Sequence, residues 1–214
     1  MTKEQLEKEG YQEVLGMTGT YVKRIGERAI SVQHNPALDG EYTIDMPESI
    51  EPIKENNIHP TAIIGPNVEL GEGNYIGPYC IIGYHAEHKA YWDKPVGRVI
   101  IGDNNVFTGH VTIDAGTENP TYIGNGCWFL KHSHVGHDVV IGNNVTISCG
   151  AKIGGHSIIH NDCNIGLNAC VHQWSDIPEG CMIGMNAAVT KKLEMEPFRK
   201  YAGVPAKDIG SNIR

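Results

Sequence analysis

Starting at Ile64, an apolar side chain returns every sixth residue: Ile64, Leu70, Ile76 and Ile82, each followed by glycine. The register resumes at Ile101, Phe107 and Ile113. From Ile123 it runs unbroken through Phe129, Val135, Ile141, Ile147, Ile153, Ile159, Ile165, Val171, Ile177, Ile183 and Val189. Two residues before each member of the long run stands a small or β-branched residue, from Thr121, Cys127 and Ser133 to Ser175, Cys181 and Ala187. A helix repeats near 3.6 residues and a strand at 2, so neither makes this pattern. A short strand closed by a turn does, with one large and one small side chain inward per unit. Three units complete a triangular coil of about 18 residues, a parallel β-helix. Glycine and asparagine in "IGNN", "IGDN" and "LGEGN" supply its turns.

The pattern fixes domain limits. Residues 58–190 form the β-helix, broken by polar loops at 84–98 and 114–122. Such loops on a rigid scaffold are places for binding residues. Residues 1–57 lack the repeat and are expected to form a small α/β cap over the first coil: a helix in "KEQLEKEGYQEVL", then strands in "TYVKRI", "RAISVQ" and "EYTIDM". The tail, 191–214, is expected to hold a short helix and then an extended strand around Pro205.

Composition narrows the function. The 214-residue chain carries a formal charge of -8, which disfavours nucleic acid or an acidic membrane surface as partner. No apolar run is long enough for a membrane span and the N-terminus has no apolar signal core, so a cytoplasmic location is expected. Of six cysteines, Cys80, Cys127, Cys163 and Cys181 fall in the small inward column and read as core filler.

The segment "FLKHSHVGHDVVIG" places His132, His134 and His137 within six positions. In an 18-residue coil Gly155 stacks above His137, His156 above Asp138, and Trp174 above His156. Histidine, acid, glycine and tryptophan thus share one surface strip, a binding-site candidate.

"HPTAIIGPNVELGEGNYIGPYCIIG", "HSHVGHDVVIGNN", "AKIGGHSI" and "ACVHQW" resemble the UDP-N-acetylglucosamine acyltransferases and related sugar N-acyltransferases, discontinuously from about His59 to Asn186. The resemblance implies a left-handed β-helix, although the general crossover rule favours the right hand. It also implies acyl transfer with His137 as general base and the Gly155 N–H on the oxyanion. His134, His156, His172 and Gln173 would bind substrate or donor, joined by Asp138 and Trp174 from the strip. No metal is implied. Met185 falls where the family limits acyl-chain length, and the "YAGVPAK" tail resembles acetyl-CoA-dependent relatives, with Gly203, Pro205 and Lys207 near the donor. The expected donor is therefore acyl-CoA, chiefly acetyl-CoA, and the expected acceptor a sugar or nucleotide-sugar hydroxyl or amine. The alternative is acyl-carrier-protein-dependent O-acylation of the lipid A type. The family's catalytic-loop carboxylate has two candidates here, Glu87 and Asp93. A homotrimer is expected, because one β-helix face makes only one wall of a cleft.

A rival reading is a γ-class carbonic-anhydrase-like metalloenzyme, since His132 and His137 resemble its zinc-binding pair. His110 lies several positions from the third ligand's place, and Arg98 lacks the expected acidic partner. A catalytically inactive scaffold is the third reading.

Overall fold

The computed structural model describes residues 55–212 in full and, before them, the backbone of four strands: Gln12–Glu13, Thr20–Ile25, Arg28–His34 and Tyr42–Asp45. Two compact units are present, Met1–Glu51 and Pro52–Arg214. In the first, the four strands form an antiparallel sheet in sequence order. The expected helix over 3–15 falls mostly outside the described residues; within it, Gln12–Glu13 are strand.

The second unit is a parallel β-helix with three walls. Wall I holds Val68–Leu70, Val99–Ile101, Thr121–Ile123, Val140–Ile141, Ile158–Ile159 and Asp176–Ile177. Wall II runs from Asn57–Ile58 through Trp128–Phe129 and Thr146–Ile147 to Met182–Ile183. Wall III runs from Ile63–Ile64 through Thr112–Asp114, His134–Val135 and Lys152–Ile153 to Ala188–Val189. The chain visits II, III and I in turn. Thr146 pairs with Asn164 and Asn164 with Met182, each 18 positions apart.

The inward members of the repeat are fully or almost fully buried from Ile76 to Val189, and the small column, with Cys127, Ala151, Cys163 and Cys181, is buried beside them. Phe107 and Phe129 stack at 4.7 Å, filling the coils beside the interruptions. Each fully buried aliphatic side chain contributes roughly 1.5–3 kcal/mol relative to exposure. The "IGNN" asparagines form a ladder: the Asn161 side-chain oxygen accepts the Asn143 N–H, and the Asn143 oxygen accepts the Asn125 N–H, both at 2.8 Å. Turn amides that no strand can serve are thereby satisfied.

The interruptions are narrower than the sequence suggests. Tyr84, Asp114, Thr121 and Tyr122 are strand residues, leaving loops at 85–98 and 115–120. Wall III pairs Ile81 with Thr112 and Thr112 with His134, separations of 31 and 22 that measure the two insertions against the coil of 18. The tail departs from expectation. It has turns where a short helix was expected, and Arg199–Ala202 and Lys207–Ser211 pair as an antiparallel hairpin on wall II. Pro205 lies in the hairpin turn, not in a strand, because it cannot donate to a ladder. Among the described residues no helix is long and apolar enough to cross a membrane.

Candidate active site

The corner between walls III and I holds the strip. Each coil turns there through a left-handed residue: Asp138 (φ 59°), His156 (φ 59°) and Trp174 (φ 64°). The same left-handed residue recurs at other coil corners, including Tyr79, His110 and His132, so it belongs to the turn of the coil. The His156 and Trp174 rings stack at 3.9 Å and within 5° of parallel. His137 meets His156 edge to face, at 5.0 Å and 90°. A Cβ on Gly155 would lie 2.9 Å from both Cε1 and Nε2 of His137, so glycine there leaves room for the imidazole. The Gly155 N–H donates no hydrogen bond among the described residues.

His137 is buried and its Nδ1 lies 2.8 Å from Asp138 Oδ2. An ionised carboxylate only accepts, so Nδ1 carries a proton, and in the neutral ring Nε2 keeps a lone pair toward Gly155. Asp138 stays ionised although its side chain is only 1% exposed. Its Oδ2 also accepts the Thr117 N–H and hydroxyl, and Oδ1 accepts the N–H groups of Glu118 and Asn119, all at 2.6–2.9 Å. Burial by itself raises this carboxyl. The Asn119 amide, the Thr117 hydroxyl and amide, and His137 outweigh it and hold the group well below the usual carboxylate range. The second interruption is thus wrapped on Asp138, which in turn orients His137.

The first interruption covers the other side. The His88 ring meets His137 edge to face at 5.4 Å, and Tyr91 Oη donates to Glu118 Oε1 at 3.2 Å, joining the loops. Neither expected carboxylate candidate, Glu87 nor Asp93, makes a hydrogen bond, ion pair or ring contact with His137; His88 takes that place. Asp114 is buried beneath. It accepts the Glu87 N–H at 3.2 Å and lies 3.9 Å from His134 Nε2, while His134 Nδ1 is 2.8 Å from the Thr112 hydroxyl. Burial raises the Asp114 carboxyl above its ordinary value, against the pull of His134 and the Glu87 amide. A cavity of about 200 Å³ lies between the loops, with Tyr91, Lys94 and Thr117 among its walls.

Sequence reasoning missed His88, Asp114 and the 117–119 amides. The available signal was the insertion length: allowing four extra residues puts 117–119 in the coil next to Asp138.

His137, Asp138, Gly155, His156 and Trp174 share this corner, while His134 stands on wall III beside Asp114. His172 and Gln173 are exposed on the next coil, with His172 Nδ1 2.8 Å from the Gln173 carbonyl oxygen. Met185, Gly203 and Pro205 lie elsewhere, at the corner between walls II and III, where the Ala188 N–H donates to the Gly203 carbonyl. Lys207 is exposed on the tail hairpin. One chain therefore does not join the donor residues to His137; wall III separates them.

Within one chain the histidine pair of the metalloenzyme reading is not brought together. His132 lies at the II–III corner, stacked on His110 at 4.9 Å, while His137 is across wall III. Arg98 pairs with Glu69 instead of a site acid. Among the described residues, ligand atoms of His137, Asp138 and His156 lie within 4.8 Å of one another. The Asp138 oxygens already accept five hydrogen bonds, which leaves this donor set a poor fit to a cation.

The family described as bacterial transferase hexapeptide (six repeats) matches residues 120–155. The O-acyltransferase of Anaeromyxobacter sp. (strain Fw109-5), named for acyl-acyl-carrier protein and UDP-N-acetylglucosamine, is 43% identical over 82 residues, 37% of this chain and 32% of that relative. Its counterpart in Paraburkholderia xenovorans (strain LB400) is 37% identical over 86 residues, 39% of this chain and 32% of the relative. The matched region spans about a third of the length of these relatives. Among solved structures, UDP-N-acetylglucosamine O-acyltransferase from Moraxella catarrhalis RH4 superposes with a TM-score of 0.61 at 26% identity, covering 72% of this chain and 74% of that one. The chain thus carries the bacterial transferase hexapeptide repeat on a left-handed β-helix and resembles the UDP-N-acetylglucosamine acyltransferases.

Proposed function

We propose that the protein is an acyltransferase that moves an acyl group from a thioester to a nucleotide sugar, with His137 as general base. The observation that carries this reading is the constellation of Asp138, His137 and Gly155. Asp138 fixes the tautomer of His137, leaving the Nε2 lone pair beside an unused backbone N–H. The acceptor gives its proton to Nε2 as its heteroatom bonds to the thioester carbonyl carbon. The oxyanion is held by the Gly155 N–H. Its collapse breaks the C–S bond, and the thiolate takes the proton back from His137. General-base catalysis contributes typically about 10²–10⁴-fold, and an oxyanion donor about 10²–10³-fold.

His134, His156, His172, Gln173 and Trp174 hold the substrates on this strip. The names of the relatives support acyl-carrier protein as the donor over the acyl-CoA expected from the tail. Met185, Gly203, Pro205 and Lys207 can line the same cleft as His137 only from a second copy, so a homotrimer belongs to this proposal. A cytoplasmic location does too, as the six cysteines are all free and thiols persist there.

The test is thiol release from acyl-carrier-protein and CoA thioesters of graded chain length, against a panel of nucleotide sugars. Release that depends on the acceptor, and that drops about 10²–10⁴-fold in His137→Ala, is expected. No acceptor-dependent release with any donor rejects the reading. An active monomer by light scattering rejects the trimer.

A further inference from the structure

We infer that His88 is a substrate-contacting hydrogen-bond donor that selects a hydroxyl over an amine as the acyl acceptor; this rests on the proposed acyl transfer and deepens it. Loop 85–98 folds back on itself at this residue. The His88 N–H donates to the Ala86 carbonyl at 2.7 Å and the Tyr91 N–H to the His88 carbonyl at 2.9 Å. The ring packs edge to face on Tyr91 at 5.1 Å and on His137 at 5.4 Å and 84°. His88 Nδ1 accepts the Ala90 N–H at 3.3 Å. A nitrogen that accepts from a backbone amide carries a lone pair, so the neutral ring holds its proton on Nε2. That Nε2–H has no protein partner among the described residues, and the side chain is exposed beside the general base.

His137 therefore meets two imidazoles edge to face, His156 and His88. An acceptor hydroxyl donates its proton to His137 Nε2 and has two lone pairs. One attacks the thioester carbon; the other accepts the His88 Nε2–H. An amine has a single lone pair, and accepting from His88 would occupy the pair it needs for attack. His88 thus orients a hydroxyl for reaction and hinders an amine.

The experiment compares wild type, His88→Ala and His88→Gln on two nucleotide sugars that differ only in a hydroxyl or an amine at the reacting carbon. His88→Gln keeps an amide N–H near the Nε2 position. Wild type is expected to prefer the hydroxyl. His88→Ala should lower kcat/KM for the hydroxyl acceptor by about tenfold, the size of one net hydrogen bond, raise it for the amine acceptor, leave the thioester KM unchanged, and melt as wild type does. His88→Gln should retain the preference. Equal loss toward both acceptors, no loss, or a wild-type preference for the amine overturns the assignment. A wild type that acylates neither acceptor rejects the functional reading instead. The His88 geometry is then judged by long-range ¹H–¹⁵N spectra of the ring: an Nε2–H tautomer supports it and an Nδ1–H tautomer overturns it.

Discussion

Asp138→Asn separates the hydrogen-bonding role of this side chain from its backbone role. Asparagine tolerates the left-handed conformation that Asp138 adopts (φ 59°), so the corner itself is not strained by the change. The two carboxylate oxygens accept five hydrogen bonds: three on Oδ2, from the Thr117 N–H, the Thr117 hydroxyl and His137 Nδ1, and two on Oδ1, from the Glu118 and Asn119 amides. An amide retains one acceptor oxygen. In its better orientation it keeps the Oδ2 set and turns an NH₂ toward two backbone donors. Two unmet bonds in a buried site cost about 2–3 kcal/mol, so the 117–119 segment should open about 30- to 150-fold more readily. Amide hydrogen exchange at Thr117, Glu118 and Asn119 measures this directly. Turnover should fall as well, by up to about 10²–10⁴-fold, because the imidazolium formed on His137 loses its compensating negative charge. The pH dependence has a definite sign. The folded-state carboxyl titrates below its unfolded value of about 3.9, so its stabilisation is complete above that value and is lost as pH falls through the folded one. The gap between wild type and variant should therefore close on acidification. Unchanged exchange at the three amides in Asp138→Asn at neutral pH would refute the argument.

Three further outcomes follow from the same geometry. Gly155→Ala should cut turnover by about tenfold or more with little change in melting, since its Cβ would press the His137 ring at 2.9 Å; kinetics together with thermal melting test this. Burial pushes the Cys163 thiol up to about 12 and the Cys127 thiol up to about 11, so in native protein at pH 8 a thiol reagent should label exposed Cys170 and leave both unmodified until unfolding. Met185 is exposed at the II–III corner; Met185→Gly should extend the range of acyl chains accepted, measured with a donor chain-length series, and an unaltered range removes Met185 from the donor site.

The six-residue period, and with it the coil, the inward columns and the role of the buried cysteines, is written in the chain. Each coil repeats the same contacts with the coil 18 residues away, so Ile147 and Ile165 face identical local demands and the pattern survives as a simple spacing. The stacking of Gly155 and His156 over His137 and Asp138 follows from the same arithmetic. What lies between the repeats obeys no period. That loop 85–98 brings His88, rather than Glu87 or Asp93, against His137, and that 117–119 turn three amides onto Asp138, depends on the paths of two insertions. The tail hairpin likewise reflects pairing on wall II, which overrides a weak local helical preference. Met185 shows the limit from the other side: it stands 48 residues from His137, a multiple of six but not of 18, so it shares the repeat but occupies a different edge of the prism. Sequence spacing determines which residues point inward and which stack. Only the closed three-walled structure decides which outward side chains share a corner, because that depends on direction around the axis and on where the inserted loops return.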